Sequence, residues 1–334
     1  MPQLTMKQLA DLAGLDVSTV SRALRGDRKR VAASTIERVQ TLAAETGFVV
    51  DPNASNLRSG RTHILGVVVT RLTDPVMGMV VTAIDEAARN LGYLTTVVAT
   101  HDDPDTRTAA VDTLLSRRAD GLILCDSLLG SEIPAQLPGH GIPFVFAMRG
   151  CDGEPSFTAD DLYGGRLVAE HFINAGHRDL AVVAGPEIAR TAVERLIGFN
   201  AAVSEHPTAT VRVAPSRGYE FVDGYKAVAA LLSDGAPPPT ALFCTNDYAA
   251  TGAARAASIA GLRVGSDIAI AGYNDLPQSE YLQTPLTSVR TDIARMGNEA
   301  ALQLIGMIRE QESPTSLVIK PQLVVRQSSN FTVN

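Results

Sequence analysis

Three cysteines in 334 residues are too few and too scattered to organise a fold. Cys125, Cys151 and Cys244 lack metal-ligand spacing, and two of them end strand-like runs, GLILC and ALFC. Buried reduced thiols are therefore expected rather than a disulfide or a zinc site. No apolar run approaches the ~18 residues a membrane span needs. The first residues also lack the basic stretch, apolar run and small-residue cleavage site of a secretory signal. A cytoplasmic chain with no membrane partner is the expectation. Enzyme motifs are missing too. TRLTDPV follows the first core strand where a GxGxxG or phosphate loop would stand, and neither GxSxG nor HExxH occurs. His171 reads as a packing or capping residue, and the pair Asp160–Asp161 as helix capping and dipole compensation. No catalytic residue, metal ligand or cofactor is predicted.

What is present is unevenly placed. Residues 1–61 carry nine Lys/Arg against six Asp/Glu, a net of +3, and the remainder carries 20 against 30, a net of −10. A basic head on an acidic body suggests that the head meets a polyanion.

That head reads as three short helices. Met6, Leu9, Ala10 and Ala13 form the apolar stripe of the first, ended by Gly14. Asp16 can cap the second, with Val17, Val20 and Leu24 as its inner positions and Gly26 closing it. The third should run from about Ser34 to Thr46, burying Ile36, Val39, Leu42 and Ala43. Helix, tight turn, helix, supporting helix is the helix-turn-helix pattern. The second helix would leave Ser18, Thr19, Ser21, Arg22 and Arg25 outward. By residue type alone, that face suits water as well as a DNA groove.

Residues 51–61, DPNASNLRSGR, read as a linker that could also form two turns of helix, with Asp51 as cap and Pro52 at the first position. From His63 strands and helices alternate. ILGVVVT, YLTTVVA, GLILC, PFVFAM, DLAVVA, ALFC and IAIAGY read as strands, with helical patterns between them. Seven β/α units imply parallel sheets covered by helices on both faces. Two similar halves split near residue 158 are expected, with a ligand between them at the carboxyl ends of the strands.

The order MKQLADLAGLDVSTVSRALRG, RVAASTIERVQTLAAETGF, DPNASNLRSGRT, RRADGLIL, FCTNDYAATGA, DIAIAGYND and TPLTSVRTD resembles the lac repressor/gal repressor family of transcription regulators over essentially the whole chain. The resemblance implies an all-α helix-turn-helix domain (1–50) and a hinge (51–61). After them comes an α/β core (62–334) of two doubly wound parallel-sheet subdomains, about 62–158 plus 288–318 and about 159–287 plus 319–334. It implies a homodimer, or a tetramer, on a near-palindromic operator. Val17, Ser18 and Arg22 match base-reading positions. Thr19, Ser21 and the segment around Asn53 match backbone contacts, and Arg25 joins the same surface. Leu57 matches a hinge leucine wedged into the minor groove, with the small Ala54 beside it. The loop GDRKR is longer and more basic than usual, Ala32 replaces a capping Ser or Thr, and Val50 replaces a frequent proline.

In the core the resemblance assigns Arg195, Tyr219 and Asn246 to an effector pocket. Asp74-Pro75-Val76-Met77 replaces a frequent Asn-Pro-Phe-Phe, and Met148 and Asn274 stand where aspartates are usual. With those two carboxylates gone, an anionic effector such as a phosphorylated or acidic sugar is expected. The alternative role for Arg195 is a structural ion pair with Asp247 or Asp275. The function implied is transcriptional control, as a repressor, by a sugar or sugar derivative. Two rivals remain on the residues themselves: a plain sugar-binding protein, which the basic head opposes, and a nucleotide-binding enzyme, which the missing phosphate loop opposes.

Overall fold

A computed structural model describes residues 4–48, 61–130, 133–134, 137–310 and 313–333. The hinge positions Asn53, Ala54 and Leu57, together with Val50, lie outside the described residues. The chain divides between Thr62 and His63 into a head and a core.

Among its described residues the head has three helices: α1 (Met6–Ala13), α2 (Val17–Leu24) and α3 (Ala33–Glu45). Thr5 and Gln8 form a capping box that starts α1. Gly14 at φ 64° and Gly26 at φ 70° supply the left-handed residue that ends α1 and α2. In both turns the next amide reaches back five residues, Leu15 to the Ala10 carbonyl and Asp27 to that of Arg22. Leu9, Ala10, Val20, Ala23, Val31, Ile36, Val39 and Ala43 make the small core. Two expectations change here. Val17 is 37% exposed rather than internal, and Ala23 takes its place, with Leu24 only half-buried. Val17 opens its helix, so its side chain clears the facing helices. Asp16 does begin α2, but its carboxylate accepts from the Ser18 and Thr19 hydroxyls (3.4 and 3.1 Å) instead of a backbone amide. As expected from Ala32, α3 starts with no side-chain cap.

The core holds two six-stranded sheets. The first contains β1 (Ile64–Val69), β2 (Leu94–Ala99), β3 (Gly121–Leu124), β4 (Phe144–Ala147) and β5 (Ser156–Ala159), plus the late strand β11 (Leu317–Ile319), in the order β11-β5-β4-β3-β1-β2. The second contains β6 (Asp179–Val183), β7 (Thr210–Ala214), β8 (Ala241–Cys244), β9 (Ala269–Asn274), β10 (Thr287–Arg290) and β12 (Gln322–Val324), in the order β12-β10-β9-β8-β6-β7. Among the described residues all pairings are parallel except β10 with β12. Helices α4 (Pro75–Asn90), α5 (Pro104–Ser116) and α10 (Ile293–Glu310) belong to the first half; α6 (Asp161–Asn174), α7 (Arg190–Ser204), α8 (Phe221–Leu232) and α9 (Asp247–Ile259) belong to the second. β1 and β3, buried along nearly their whole length, are the continuous apolar runs that a sheet covered on both faces requires.

The chain passes between halves three times: after β5, between β10 and α10, and between β11 and β12. The second crossing corrects an expected boundary. β10 pairs with β9 through Arg290, so the chain leaves the second half after residue 290, not before 288. Thr287 and Ser288 look too polar for a central strand, yet both are buried and hydrogen-bonded. Cys125 and Cys244 are buried and burial pushes both thiols up, while Cys151 is half-buried; none forms a disulfide. Among the described residues no helix is long and apolar enough to cross a membrane.

Candidate nucleic-acid interface and effector cleft

On the head, Val17, Ser18 and Arg25 are exposed, and Thr19, Ser21 and Arg22 half-buried. Two short ladders organise this face: Arg22 Nη1 donates to Ser18 Oγ (3.5 Å), and Arg25 Nη2 and Nε donate to Ser21 Oγ and its carbonyl (3.1 and 3.2 Å). These contacts hold the guanidiniums along α2 through weak exposed bonds that a base edge or phosphate can replace. Arg28, Lys29 and Arg30 follow in a fully exposed turn.

In the core all seven effector residues expected from the sequence line one cavity between the halves. Asp74, Met77 and Met148 come from the first half; Arg195, Tyr219, Asn246 and Asn274 come from the second. Thr70, Val76, Arg149 and Thr191 complete the lining and were not anticipated. The strand ends explain the convergence. Thr70 follows β1, Met148 and Arg149 follow β4, Asn246 follows β8, and Asn274 ends β9. Larger grooves exist: one of about 470 Å³ between β7 and α8 draws on the second half alone, and one of about 270 Å³ runs between the halves from Met148 and the β4–β5 loop to Arg190 and Glu194, sharing only Met148 with the seven.

Several of these side chains are already engaged. Asp74 Oδ1 accepts from the Val76 amide (2.9 Å) and caps α4. Asn246 caps α9 by accepting from the Ala249 amide (2.8 Å), while its Nδ2 donates to the Tyr219 carbonyl (2.9 Å). Arg195 is 5% exposed. Its Nε donates to Asp161 Oδ1 (2.8 Å), its Nη1 to the Thr245 carbonyl (2.8 Å), and its guanidinium lies 3.7 Å from the Tyr273 ring centre. The ion-pair partner is thus Asp161, not Asp247 or Asp275. Of the Asp160–Asp161 pair, only Asp160 caps α6. By contrast Asn274 Oδ1 is buried without a hydrogen-bond partner.

Backbone strain gathers at the same place. Met148 (φ 68°), Asn274 (φ 100°), Asp275 (φ 50°) and Asp102 (φ 59°) all adopt left-handed conformations without being glycine. Asp102 accepts from Arg149 Nη1 (2.6 Å), and Asp275 is held by Arg290 and Arg326 (2.7 and 2.6 Å). Such strain persists only where the surroundings over-determine it, and it marks ligand sites.

Charge balances around the cavity. Arg107, Arg149 and Arg195 meet Asp126, Asp102 and Asp161 in three buried ion pairs, and Asp74 adds a fourth carboxylate. Burial pushes the Asp74 and Asp161 carboxyls up, against the pull of the Val76 amide and of Arg195 respectively. There is no excess positive charge, so the electrostatic case for an anionic effector disappears. Asp102 and Asp161 neutralise Arg149 and Arg195 without themselves lining the cavity. Among the described residues no cluster of His, Cys, Asp and Glu could hold a metal ion.

Asp247, next to Asn246, accepts from Ser288 Oγ (2.6 Å), the Leu276 amide (2.7 Å) and Ser279 Oγ (3.0 Å). Burial nevertheless pushes its carboxyl up from 3.8 to about 6. The folded chain therefore keeps a proton that the unfolded chain releases near pH 4, and the resulting stabilisation is lost as pH rises through about 6. Asp247→Asn does not titrate. Between pH 4 and 7 the wild type should lose about 2 kcal/mol relative to this variant, measured by urea unfolding at each pH. A constant difference would remove the assignment.

Comparison with known proteins follows the same division. Residues 5–51 match the bacterial regulatory proteins of the lacI family, and residues 62–327 match the periplasmic binding proteins and sugar binding domain of the LacI family. The HTH-type transcriptional repressor PurR of Haemophilus influenzae is 29% identical over 334 residues, 97% of this chain and 98% of that protein. The ribose operon repressor of the same species is 29% identical over 333 residues, with the same shares. The lac repressor dimer bound to operator and the anti-inducer ONPF has a TM-score of 0.88 at 27% identity, covering 98% of this chain and 99% of that one.

Proposed function

The chain belongs to the LacI family of bacterial regulatory proteins and is a DNA-binding transcriptional regulator rather than an enzyme; from that premise we propose how its residues divide the work. As a cytoplasmic homodimer it represses transcription from a near-palindromic operator. Val17, Ser18 and Arg22 read base edges in the major groove; Thr19, Ser21, Arg25 and the basic turn grip phosphates. Asn53, Ala54 and Leu57 engage the minor groove between half-sites. In the core, a neutral polyhydroxylated ligand, a sugar or sugar derivative, occupies the cleft between the halves. Its binding shifts the balance between core conformations and so changes operator affinity.

The observation that carries this reading is the gathering of Asp74, Met148, Arg195, Tyr219, Asn246 and Asn274, from both halves, around one charge-balanced cavity. Fluorescence anisotropy on DNA from the chain's own promoter region, with and without a panel of neutral and phosphorylated sugars, tests it. Binding released or strengthened by a neutral sugar is expected. No footprint at moderate salt, or a response to phosphorylated sugars alone, would overturn it. In the same assay Arg22→Ala should weaken operator binding by about 1–3 kcal/mol and flatten base preference at one position per half-site. An equal loss on every sequence would make Arg22 a phosphate contact instead.

A further inference from the structure

The cavity that gathers the seven expected effector residues is only about 40 Å³, room for a few water molecules; the neighbouring groove of about 270 Å³ between the halves touches only Met148 of them. Small-molecule sites are commonly about 300–1,000 Å³. At this separation of the halves a monosaccharide does not fit among Asp74, Arg195, Asn246 and Asn274, so the cleft must part for one to reach them. The contacts that bridge the two halves outside the crossovers therefore decide how readily it opens.

Two such contacts lie side by side on one rim. The Leu129 amide, after β3 in the first half, donates to the Ile188 carbonyl in the second (2.9 Å). Two residues further on, Arg190 makes a two-pronged ion pair with Asp152 of the β4–β5 loop, Nη1 to Oδ1 and Nη2 to Oδ2, both 3.2 Å. The first-half arms are joined, because Ser127 Oγ donates to the Gly150 carbonyl (3.3 Å). On the other side, Ile188 and Arg190 lead directly into α7, which carries Thr191 and Arg195 into the cavity wall. We propose that Asp152–Arg190 and Leu129–Ile188 form a latch that holds the cleft shut and must break before ligand enters. It rests on the reading of the cleft as the ligand site, but its test needs no ligand.

The Leu129 amide reports the latch directly, since its exchange with solvent requires the bond to Ile188 to open. Asp152 is 89% exposed, so Asp152→Asn disturbs no core packing and leaves Arg190 with its second partner Glu194. In the ligand-free full chain, NMR-detected hydrogen exchange should be about two- to fivefold faster at Leu129 in this variant, the range an exposed ion pair can supply. The amide of Ile123, in the middle of β3, should not change. Raising NaCl to about 0.5 M should speed Leu129 exchange in the wild type by a similar factor and add nothing in Asp152→Asn, because salt screens an exposed pair. Equal Leu129 exchange in the wild type, Asp152→Asn and Asp152→Lys would overturn the latch. So would an acceleration shared by Ile123, which would mean general loosening. Failure of the sugar response would instead count against the function proposed above.

Discussion

Arg195→Ala is expected to destabilise the core by about 3–5 kcal/mol, lowering its melting temperature by on the order of 10 °C. Attraction between Arg195 and Asp161 is only part of the reason. Both side chains are nearly inaccessible, 6% and 3% exposed, so forming the pair costs desolvation that the attraction roughly offsets. Removing one partner changes the balance. Asp161 would remain inside without its cation, the Thr245 carbonyl would lose a donor, and Tyr273 would lose the guanidinium against its ring. Asp161 is already pushed towards its neutral form by burial, and without Arg195 it would titrate higher still. The joint replacement Arg195→Leu with Asp161→Leu should recover much of the loss, because it leaves no unpaired charge. Urea unfolding of the two single variants and the double variant measures this. A loss below about 1 kcal/mol for Arg195→Ala would contradict the burial of the pair. The double variant separates structure from function: it should fold and bind DNA, yet respond to no sugar. A retained sugar response would remove Arg195 from the ligand site and leave its structural role intact.

What the sequence does and does not disclose follows from the range of the interactions. The helices of the head are local features, written in Thr5, Gly14, Gly26 and the spacing of Leu9, Val20, Ile36 and Val39. Central strands such as β1, β3 and β8 are apolar runs and equally legible. The edge strands β7 and β12 are not. Apart from Ala214 their residues are exposed or half-buried, as the margin of a sheet allows, so TVRVA and QLV carry little apolar signal. α10 lies beyond the last strand legible in the sequence, yet Ile293, Met296, Ala300 and Leu304 have helical spacing and the first half's core depends on it. The cleft divides the same way. Its seven expected residues were found through motif resemblance, and they do converge. Arg149, and the partners Asp102 and Asp161, escaped. They meet residues 47 and 34 positions away, and no local pattern encodes such a pairing. The sequence alone points to an anionic ligand for the same reason: a lone arginine looks cationic until its buried carboxylate is seen.

Gly198→Ala should be as damaging as the loss of Arg195, about 3 kcal/mol or more, although helix propensity alone favours it by about 1 kcal/mol. α6 and α7 pack with glycines at their contact. A Cβ on Gly198 would stand 1.9 Å from the Leu162 carbonyl oxygen, and one on Gly165 2.0 Å from that of Arg195. Real Cβ atoms do not approach below 3.0 Å, and both obstacles are backbone, so no rotamer change relieves them. The helices must move apart by roughly 1 Å, and close packing along the whole contact is lost with that movement. Gly78→Ala provides the contrast. Gly78 lies in α4 with nothing within 4 Å of its Cβ position, so there propensity decides and a gain of up to about 1 kcal/mol is expected. Thermal unfolding of the two variants should show shifts of opposite sign. The consequence of Gly198→Ala reaches the cleft, because Arg195 lies on α7 one turn before Gly198 and Asp161 begins α6. Parting the helices strains the ion pair between them and carries Arg195 away from the cavity. Sugar response should therefore fall at temperatures where the variant is still folded, while the head, a separate unit, continues to bind DNA.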